Sequence, residues 1–461
     1  MSLWTSAEIE AATGGRASEP FDVTGVSFDS REVGAGDLFV AMPGSVADGH
    51  EFVAGAFATG AAGALVSHEG ADEDWGPHIL VADVAQALTD LAIAARARMN
   101  GTVIGVTGSV GKTSTKEALF VAIERFARGK VHRSVKSYNN HTGVPLSLAR
   151  MPRDSEFALL EMGMNHSGEI AVLTRLVRPH VALITTIAPA HIEHLGSLEA
   201  IADAKAEIFA GLEPDGIAII PENTPQRERL LRAARRHAER IITFGSGEAD
   251  IVAVHAVRSE NGGSLVTARL MDSELTFTIA QRGDHWVSNA LAVLATVEAV
   301  GADLAVAGLA LADMGGLKGR GERHRLTAPD GRYLLIDESY NANPASMAAT
   351  LKALGEERDV DRRIAVLGPM RELGPTGAEL HAALAPAVRE AGIAHVILVG
   401  DEMEPLAEAL GDTMAIERAT DAEAATALLR KTVRARDAVL VKASNSIGLA
   451  RLVEAMAGDA A

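Results

Sequence analysis

The sequence reads as an α/β protein in three parts: a small N-terminal α/β domain, a central domain on a doubly wound parallel sheet, and a C-terminal Rossmann-like α/β domain. Three observations carry that reading. The 461 residues correspond to about three domains of roughly 150 residues, each long enough to bury its own core. Short aliphatic runs alternate with helix-length segments in two separate series, the pattern of mainly parallel sheets covered on both faces. Between the series lies GGLKGRGERHRL, residues 315–326, whose glycines and charges suit a hinge.

In order along the chain, FDVTGVSFDSREVGAGDLFVAMPG (21–44) predicts short strands joined by turns, followed by alanine-rich helices. This is the first domain, residues 1–98, with its boundary near Asn100 and Gly101. The second, residues 99–319, contains VIGVT (103–107), FALLEM (157–162), VALITTI (181–187) and GIAII (216–220). The third, residues 320–461, contains LLID (334–337), IAVLG (364–368), HVILVG (395–400) and DAVLVK (437–442). No internal repeat is evident.

Composition narrows the function. The chain is 48% hydrophobic and 23% charged, an ordinary globular balance, and its 4% aromatic content makes the core mainly aliphatic. Lys and Arg total 43 against 61 Asp and Glu, a formal charge of −18. Such a surface repels nucleic acid and anionic lipid, so no nucleic-acid or membrane partner is expected, and an anionic ligand needs a local basic pocket. With no cysteine, disulfides, thiolate catalysis and Cys-ligated zinc drop out. The start MSLWTSAEIEAATGG has no basic and apolar leader, and no run reaches the ~20 apolar residues of a membrane span. The expectation is a soluble cytoplasmic protein.

One motif declares chemistry directly. The strand VIGVT runs into Gly108-Ser109-Val110-Gly111-Lys112-Thr113-Ser114 and then the helix-forming KEALFVAIERFA. A strand, a glycine turn, Lys-Thr and a helix N-terminus make a phosphate cradle. Backbone N–H groups converge, the helix dipole adds positive potential, Lys112 brings a full charge and the Thr113 hydroxyl can reach magnesium. The strict G-x-x-x-x-G-K-[ST] pattern would need glycine at position 106, where Val106 stands. ATP or GTP binding follows, and the central domain is thereby of the P-loop ATPase type. The cradle alone names no reaction, because switches, kinases and ligases share it.

Further candidates sit at the carboxyl ends of the strands, where ligands of doubly wound sheets gather. Glu161, closing FALLE, can join Thr113 on one magnesium ion. His191, in the AHIEHLG segment, falls on the same edge; HIEH is not the H-E-x-x-H zinc motif, and a polar loop residue or helix cap is its ordinary reading. Lys205, between acids in ADAKAEIF, reads by pattern as part of a solvated helix face.

The order of TGSVGKTS, NNHTGVPLSL, EMGMNHSGEI, APAHIEHLGS, ADAKAEIF, GRGE and DESYNANPASM resembles the Mur ligase family, ATP-dependent amide-forming enzymes of cell-wall precursor synthesis. The N-terminal VSFDSREVGAGDLFVAMPG with Asp48-Gly49-His50 resembles its nucleotide-sugar domain. EMGMN and DESYNANP resemble in particular the branch that joins UDP-N-acetylmuramoyl-tripeptide to D-alanyl-D-alanine. The resemblance implies two magnesium ions: Thr113 and Glu161 on one, His191 and Lys205 on the other, with Lys205 carboxylated to a carbamate that offers oxygen to a hard metal. It implies Arg320 and Arg323 as clamps on the γ-phosphate, and Lys112, Lys205, His191 and Arg320 as the catalytic set. It implies that ATP is held by Gly108, Ser109, Gly111, Lys112, Thr113 and Ser114, with adenine near His285 and Asn289 and ribose at Asp337 or Glu338. Ser27, Ser30, Arg31, Asp48 and His50 are implied contacts to the UDP-sugar.

Two stretches depart from the family. Pro369 in VLGPMRELG stands where an acid is usual, and Ala443 and Asn445 interrupt a KGSR-like pattern in KASNSIGLA, so the residues that bind the dipeptide stay unassigned. The implied reaction transfers the γ-phosphoryl of ATP to the tripeptide carboxylate, giving an acyl phosphate that the amine attacks, in an enzyme expected to act as a monomer. A sister ligase adding diaminopimelate, lysine or glutamate, and a P-loop switch or binding module, are the alternatives. No NKxD-like guanine motif supports the last.

Overall fold

The computed structural model describes residues 2–44, 47–70, 75–189, 192–259 and 262–458, with Thr413 described by its backbone alone. Its sheets follow one another along the chain. The N-terminal sheet has the strand order Arg16–Ala17, His78–Leu80, Gly63–Val66, Asp37–Val40, Gly25–Ser27. All its pairings are parallel except the first. Its core does not stop at the domain edge. Leu38, Ile79 and Leu91 belong to one buried cluster with Val144, Leu148 and Leu160 of the central domain. Helix Val84–Ala97 packs on helix Gly143–Ala149, and the Trp4 indole donates to the Ala149 carbonyl at 2.8 Å.

The central domain contributes β1 (Thr102–Thr107), α1 (Lys112–Phe126), β2 (Phe157–Glu161), β3 (Val181–Ile184), α2 (Leu198–Ala206) and α3 (His285–Ala299). In its nine-stranded sheet β1 lies between β3 and β2. Pairings are parallel from Val131–Arg133 across to Ile251–Arg258. The sheet then continues antiparallel through Ser264–Arg269 and Glu274–Ile279. The connections there are too short for the dozen or so residues that a parallel crossover needs, so the mainly parallel sheet ends in an antiparallel ribbon at this edge. Val257 and Leu265, paired across the ribbon, stay exposed.

The C-terminal domain contributes β4 (Glu322–Ala328), β5 (Gly331–Glu338), α4 (Pro344–Gly355) and β6 (Asp437–Lys442). Its sheet order is β4, β5, β6, Arg362–Leu367, His395–Val399, Ala415–Ala419. Only the β4–β5 hairpin is antiparallel. The carboxyl ends of β1 and β2 and those of β5 and β6 border one interdomain cleft.

Candidate active site

The cleft has a volume of about 470 Å³. Its floor is the turn between β1 and α1. Gly108 takes φ +148, and a Cβ there would lie 2.0 Å from Thr185 Oγ1; Gly111 caps α1 at φ +86. Both conformations exclude ordinary side chains. The next strand's exit fastens the turn: Ser109 N donates to Thr186 O at 2.7 Å, and the Thr185 hydroxyl donates to Val110 O at 2.6 Å. Gly105 has a different task, since a Cβ there would meet Met162 Cε at 2.6 Å. It is a packing glycine, which leaves the cradle to Gly108 and Gly111.

Lys112 Nζ donates to Gly108 O at 2.7 Å. Burial lowers its pKa, Glu161 opposing and Arg320 reinforcing that shift. The Thr113 hydroxyl donates to Glu161 Oε2 at 2.9 Å, both residues being buried. Asn139 Nδ2 donates to the other carboxylate oxygen at 2.8 Å. Behind them the buried Lys116 donates to Ser134 O and Lys136 O and lies 3.9 Å from Glu161. Ser114, His285 and Asn289 line the cleft. Burial pushes the His285 imidazole down to about 4, so it is neutral at pH 7 and offers one donor and one acceptor.

Lys205 overturns the solvated-face reading of its pattern. It is 0% exposed, and Nζ has no hydrogen-bond partner among the described residues. Burial, reinforced by the Lys112 charge, drives its pKa well below the ordinary lysine value. His191 lies outside the described residues.

From the C-terminal domain, Arg320 enters the cleft with its guanidinium 4.4 Å from the Tyr340 ring centre. Arg323 does not enter it. Its guanidinium makes a bidentate pair with the buried Glu357, at 2.9 and 2.7 Å, and it borders a smaller neighbouring pocket together with His285 and Glu338. Asp337 is buried too, and its two oxygens accept Gly319 N–H and Ser339 N–H; it anchors the hinge, and Glu338 is the acid that lines the cleft. Burial raises the Glu338 pKa against the pull of Lys442 and Arg320. Lys442 Nζ is 3.5 Å from Glu338 and donates to Asn341 O at 2.8 Å.

The N-terminal candidates form local bonds. Ser27 is buried and its hydroxyl donates to Asp29 O, while Asp29 holds the exposed Arg31 bidentately at 2.8 and 2.7 Å. His50 Nδ1 lies 2.6 Å from Asp48, and Nε2 accepts Ser67 N–H at 2.9 Å. That acceptor role puts the ring proton on Nδ1, so Asp48 and His50 secure a turn within the domain. Ser30, between Asp29 and Arg31, is part-exposed.

Sequence reasoning missed Asn139, Lys116, Tyr340, Asn341 and Lys442. The NNHT and YNAN strings carried the asparagines without assigning them. Lys442, at the end of an apolar strand, gave the one positional signal that could have found it.

Comparison with known proteins follows the same three blocks. Residues 22–96 match the Mur ligase family, catalytic domain. Residues 106–297 match the Mur ligase middle domain, and residues 319–445 the Mur ligase, glutamate ligase domain. The UDP-N-acetylmuramoyl-tripeptide--D-alanyl-D-alanine ligase of Rickettsia prowazekii is 31% identical over 453 residues, covering 98% of this chain and 99% of the relative. A crystal structure of MurF from Acinetobacter baumannii superposes with a TM-score of 0.84 at 29% identity, covering 99% of each chain. MurF ligase from Thermotoga maritima in complex with ADP gives 0.77 at 27% identity, covering 95% of this chain and 98% of that one.

Proposed function

The chain belongs to the Mur ligase family, and on that premise we propose that it joins D-alanyl-D-alanine to UDP-N-acetylmuramoyl-tripeptide at the expense of ATP, in peptidoglycan precursor synthesis. One observation carries the chemistry: a single cleft gathers the phosphate turn, the Thr113–Glu161 pair and the cations Lys112, Arg320 and Lys442. The named relatives carry the substrates.

Joining a carboxylate to an amine is uphill in water, so the acyl group must be activated. A tripeptide carboxylate oxygen attacks the γ-phosphorus, the bond to ADP breaks, and the acyl phosphate forms. Lys112 and the N–H groups of residues 108–114 hold the phosphates and oppose the charge that grows on them. Arg320, reaching across from the other domain, adds a second cation once the domains meet around substrate. The dipeptide amine nitrogen then attacks the acyl carbon, the carbon–oxygen bond to phosphate breaks, and the amine loses its proton.

The donor set fits magnesium. Thr113 and Glu161 present hard oxygens 2.9 Å apart, with Asn139 orienting the carboxylate, and would hold one ion. A buried Lys205 with no hydrogen-bond partner among the described residues and a depressed pKa supports a carbamate, because only a neutral amine captures carbon dioxide; it would serve a second ion with His191. When bound, magnesium supplies charge neutralisation on the phosphoryl oxygens. The adenine is read to lie against His285 and Asn289, with its ribose at Glu338, and the UDP-sugar at the N-terminal domain. The enzyme is read as a cytoplasmic monomer on small soluble substrates. No described helix is long and apolar enough to cross a membrane.

Phosphate release measured with UDP-N-acetylmuramoyl-tripeptide, ATP and a panel of amines tests the assignment. D-alanyl-D-alanine should be used far in preference to D-glutamate, L-lysine or diaminopimelate. Preference for one of the single amino acids, on its own shorter UDP-linked acid, would make this a sister ligase.

A further inference from the structure

Behind the Thr113–Glu161 pair stands an amine with no part in the phosphoryl or acyl transfer. Lys116, on α1 one turn beyond Thr113, is 0% exposed. Its Nζ donates to Ser134 O at 2.7 Å and to Lys136 O at 2.8 Å, and lies 3.1 Å from Glu117 Oε1. Three oxygens match the three N–H donors of an ammonium. Glu161 Oε2, the oxygen that accepts the Thr113 hydroxyl, is farther, at 3.9 Å. The cradle is built at a cost, since Lys136 takes φ +52, a conformation that residues other than glycine avoid. Lys112 differs: its amine donates to Gly108 O within its own turn, a bond it can trade for a phosphate oxygen. Lys116 would give up both carbonyl bonds at a buried site by moving aside. Glu117 is shared, its other oxygen lying 3.1 Å from Arg133. Two cations thus face two carboxylates, and deleting the Lys116 charge leaves the cluster one charge more negative.

We propose that Lys116 is a positioning residue, a fixed counter-charge to Glu161 that makes metal binding depend on the nucleotide. The inference rests on the reading of Thr113 and Glu161 as the magnesium pair. In the empty site the ammonium balances a buried carboxylate that is costly to leave alone. To a free divalent cation at Glu161 the same ammonium is repulsive, and in the dry interior that repulsion is little screened, so the free ion binds weakly. Lys116 attracts the magnesium–ATP complex, whose net charge is negative. It is not among the residues that line the cleft and acts through Glu161, favouring the metal–nucleotide complex over the metal alone.

The test follows manganese, a paramagnetic stand-in for magnesium, by electron paramagnetic resonance on the full chain without nucleotide. Calorimetry then gives the affinity for the magnesium complex of a non-hydrolysable ATP analogue. Lys116→Gln keeps a donor for the carbonyls and loses the charge; it should bind free manganese about tenfold more tightly than the natural chain and the magnesium–nucleotide complex several-fold more weakly. Lys116→Met, which also gives up the carbonyl bonds, should move in the same directions. A lysine that merely props the loop predicts weaker binding of both probes. Adding Glu161→Gln to Lys116→Gln should abolish the gain. If Glu161→Gln alone leaves metal binding in the nucleotide complex unchanged, the magnesium pair is misassigned and the proposal falls with it. If Glu161→Gln weakens that binding while free manganese binds Lys116→Gln no more tightly than the natural chain, the pair stands and the counter-charge is overturned.

Discussion

Replacing Lys205 by methionine keeps the apolar stem and deletes the amine. In the folded chain that amine is fully buried without a hydrogen-bond partner among the described residues, and an unsatisfied buried donor costs about 1–3 kcal/mol. In buffer free of carbon dioxide and metal, Lys205→Met should therefore be the more stable protein, with an unfolding midpoint higher by about 2–4 °C for each kcal/mol in a domain of this size. The pH dependence is sharper still. The folded pKa lies well below the ordinary lysine value because of burial and the Lys112 charge, and the unfolded value is near ~10.4. Between those two the unfolded chain holds a proton that the folded chain lacks, so the natural protein gains stability as pH rises through the interval. It loses stability as pH falls, by up to about 1.4 kcal/mol per unit. The methionine variant lacks this term, so its advantage should shrink steadily from pH 7 to 9 in paired calorimetric scans. Ligation should be lost in the variant, and acetate should partly restore it to the smaller Lys205→Ala by returning a carboxylate oxygen. A lower midpoint for Lys205→Met, an advantage that does not change with pH, or full ligation by either variant would refute the reasoning.

Lys112→Ala removes one hydrogen bond, to Gly108 O, and the charge facing the phosphates; turnover should disappear while the circular dichroism and unfolding midpoint hold, and near-native turnover would count against the cradle. Glu161→Ala takes the acceptor from Thr113 and Asn139, which should cost about 1–3 kcal/mol and raise the magnesium concentration for half-maximal rate, read from a metal titration. An unchanged titration would remove Glu161 from the metal site. The fragment 1–98 exposes the helix face that Val144 and Leu148 cover in the whole chain; it should unfold without a cooperative transition by near-ultraviolet circular dichroism, and a sharp transition would show the shared core to be dispensable.

The parts of the site that were legible in the sequence are those whose chemistry is contiguous. Strand, glycine turn, Lys-Thr and helix follow one another over residues 103–126, so the cradle could be read without the fold. Glu161 was legible as a polar end on an apolar strand. Lys205 was not, because its flanking acids read as a solvated face, and nothing in the helical pattern shows that the lysine between them is buried. Arg323 reads as a phosphate clamp in the basic hinge until Glu357, 34 residues on, is seen to hold it. Asp337 and Glu338 alternate across a strand, and which of them faces the cleft depends on the register with β6. In the ribbon of residues 251–279 half-exposed strands with mixed faces gave no aliphatic run to mark them. The continuous core beneath the first two domains left no linear signature either, since each half looks complete in its own segment.

The acyl phosphate is the central claim, and oxygen tracing reaches it most directly. UDP-N-acetylmuramoyl-tripeptide carrying oxygen-18 in its terminal carboxylate is incubated with the enzyme, ATP, magnesium and D-alanyl-D-alanine, and the released phosphate is analysed by mass. Attack of the carboxylate on the γ-phosphorus places one labelled oxygen in each phosphate formed with an amide. Phosphate released without label, its fourth oxygen drawn from water, would contradict the account.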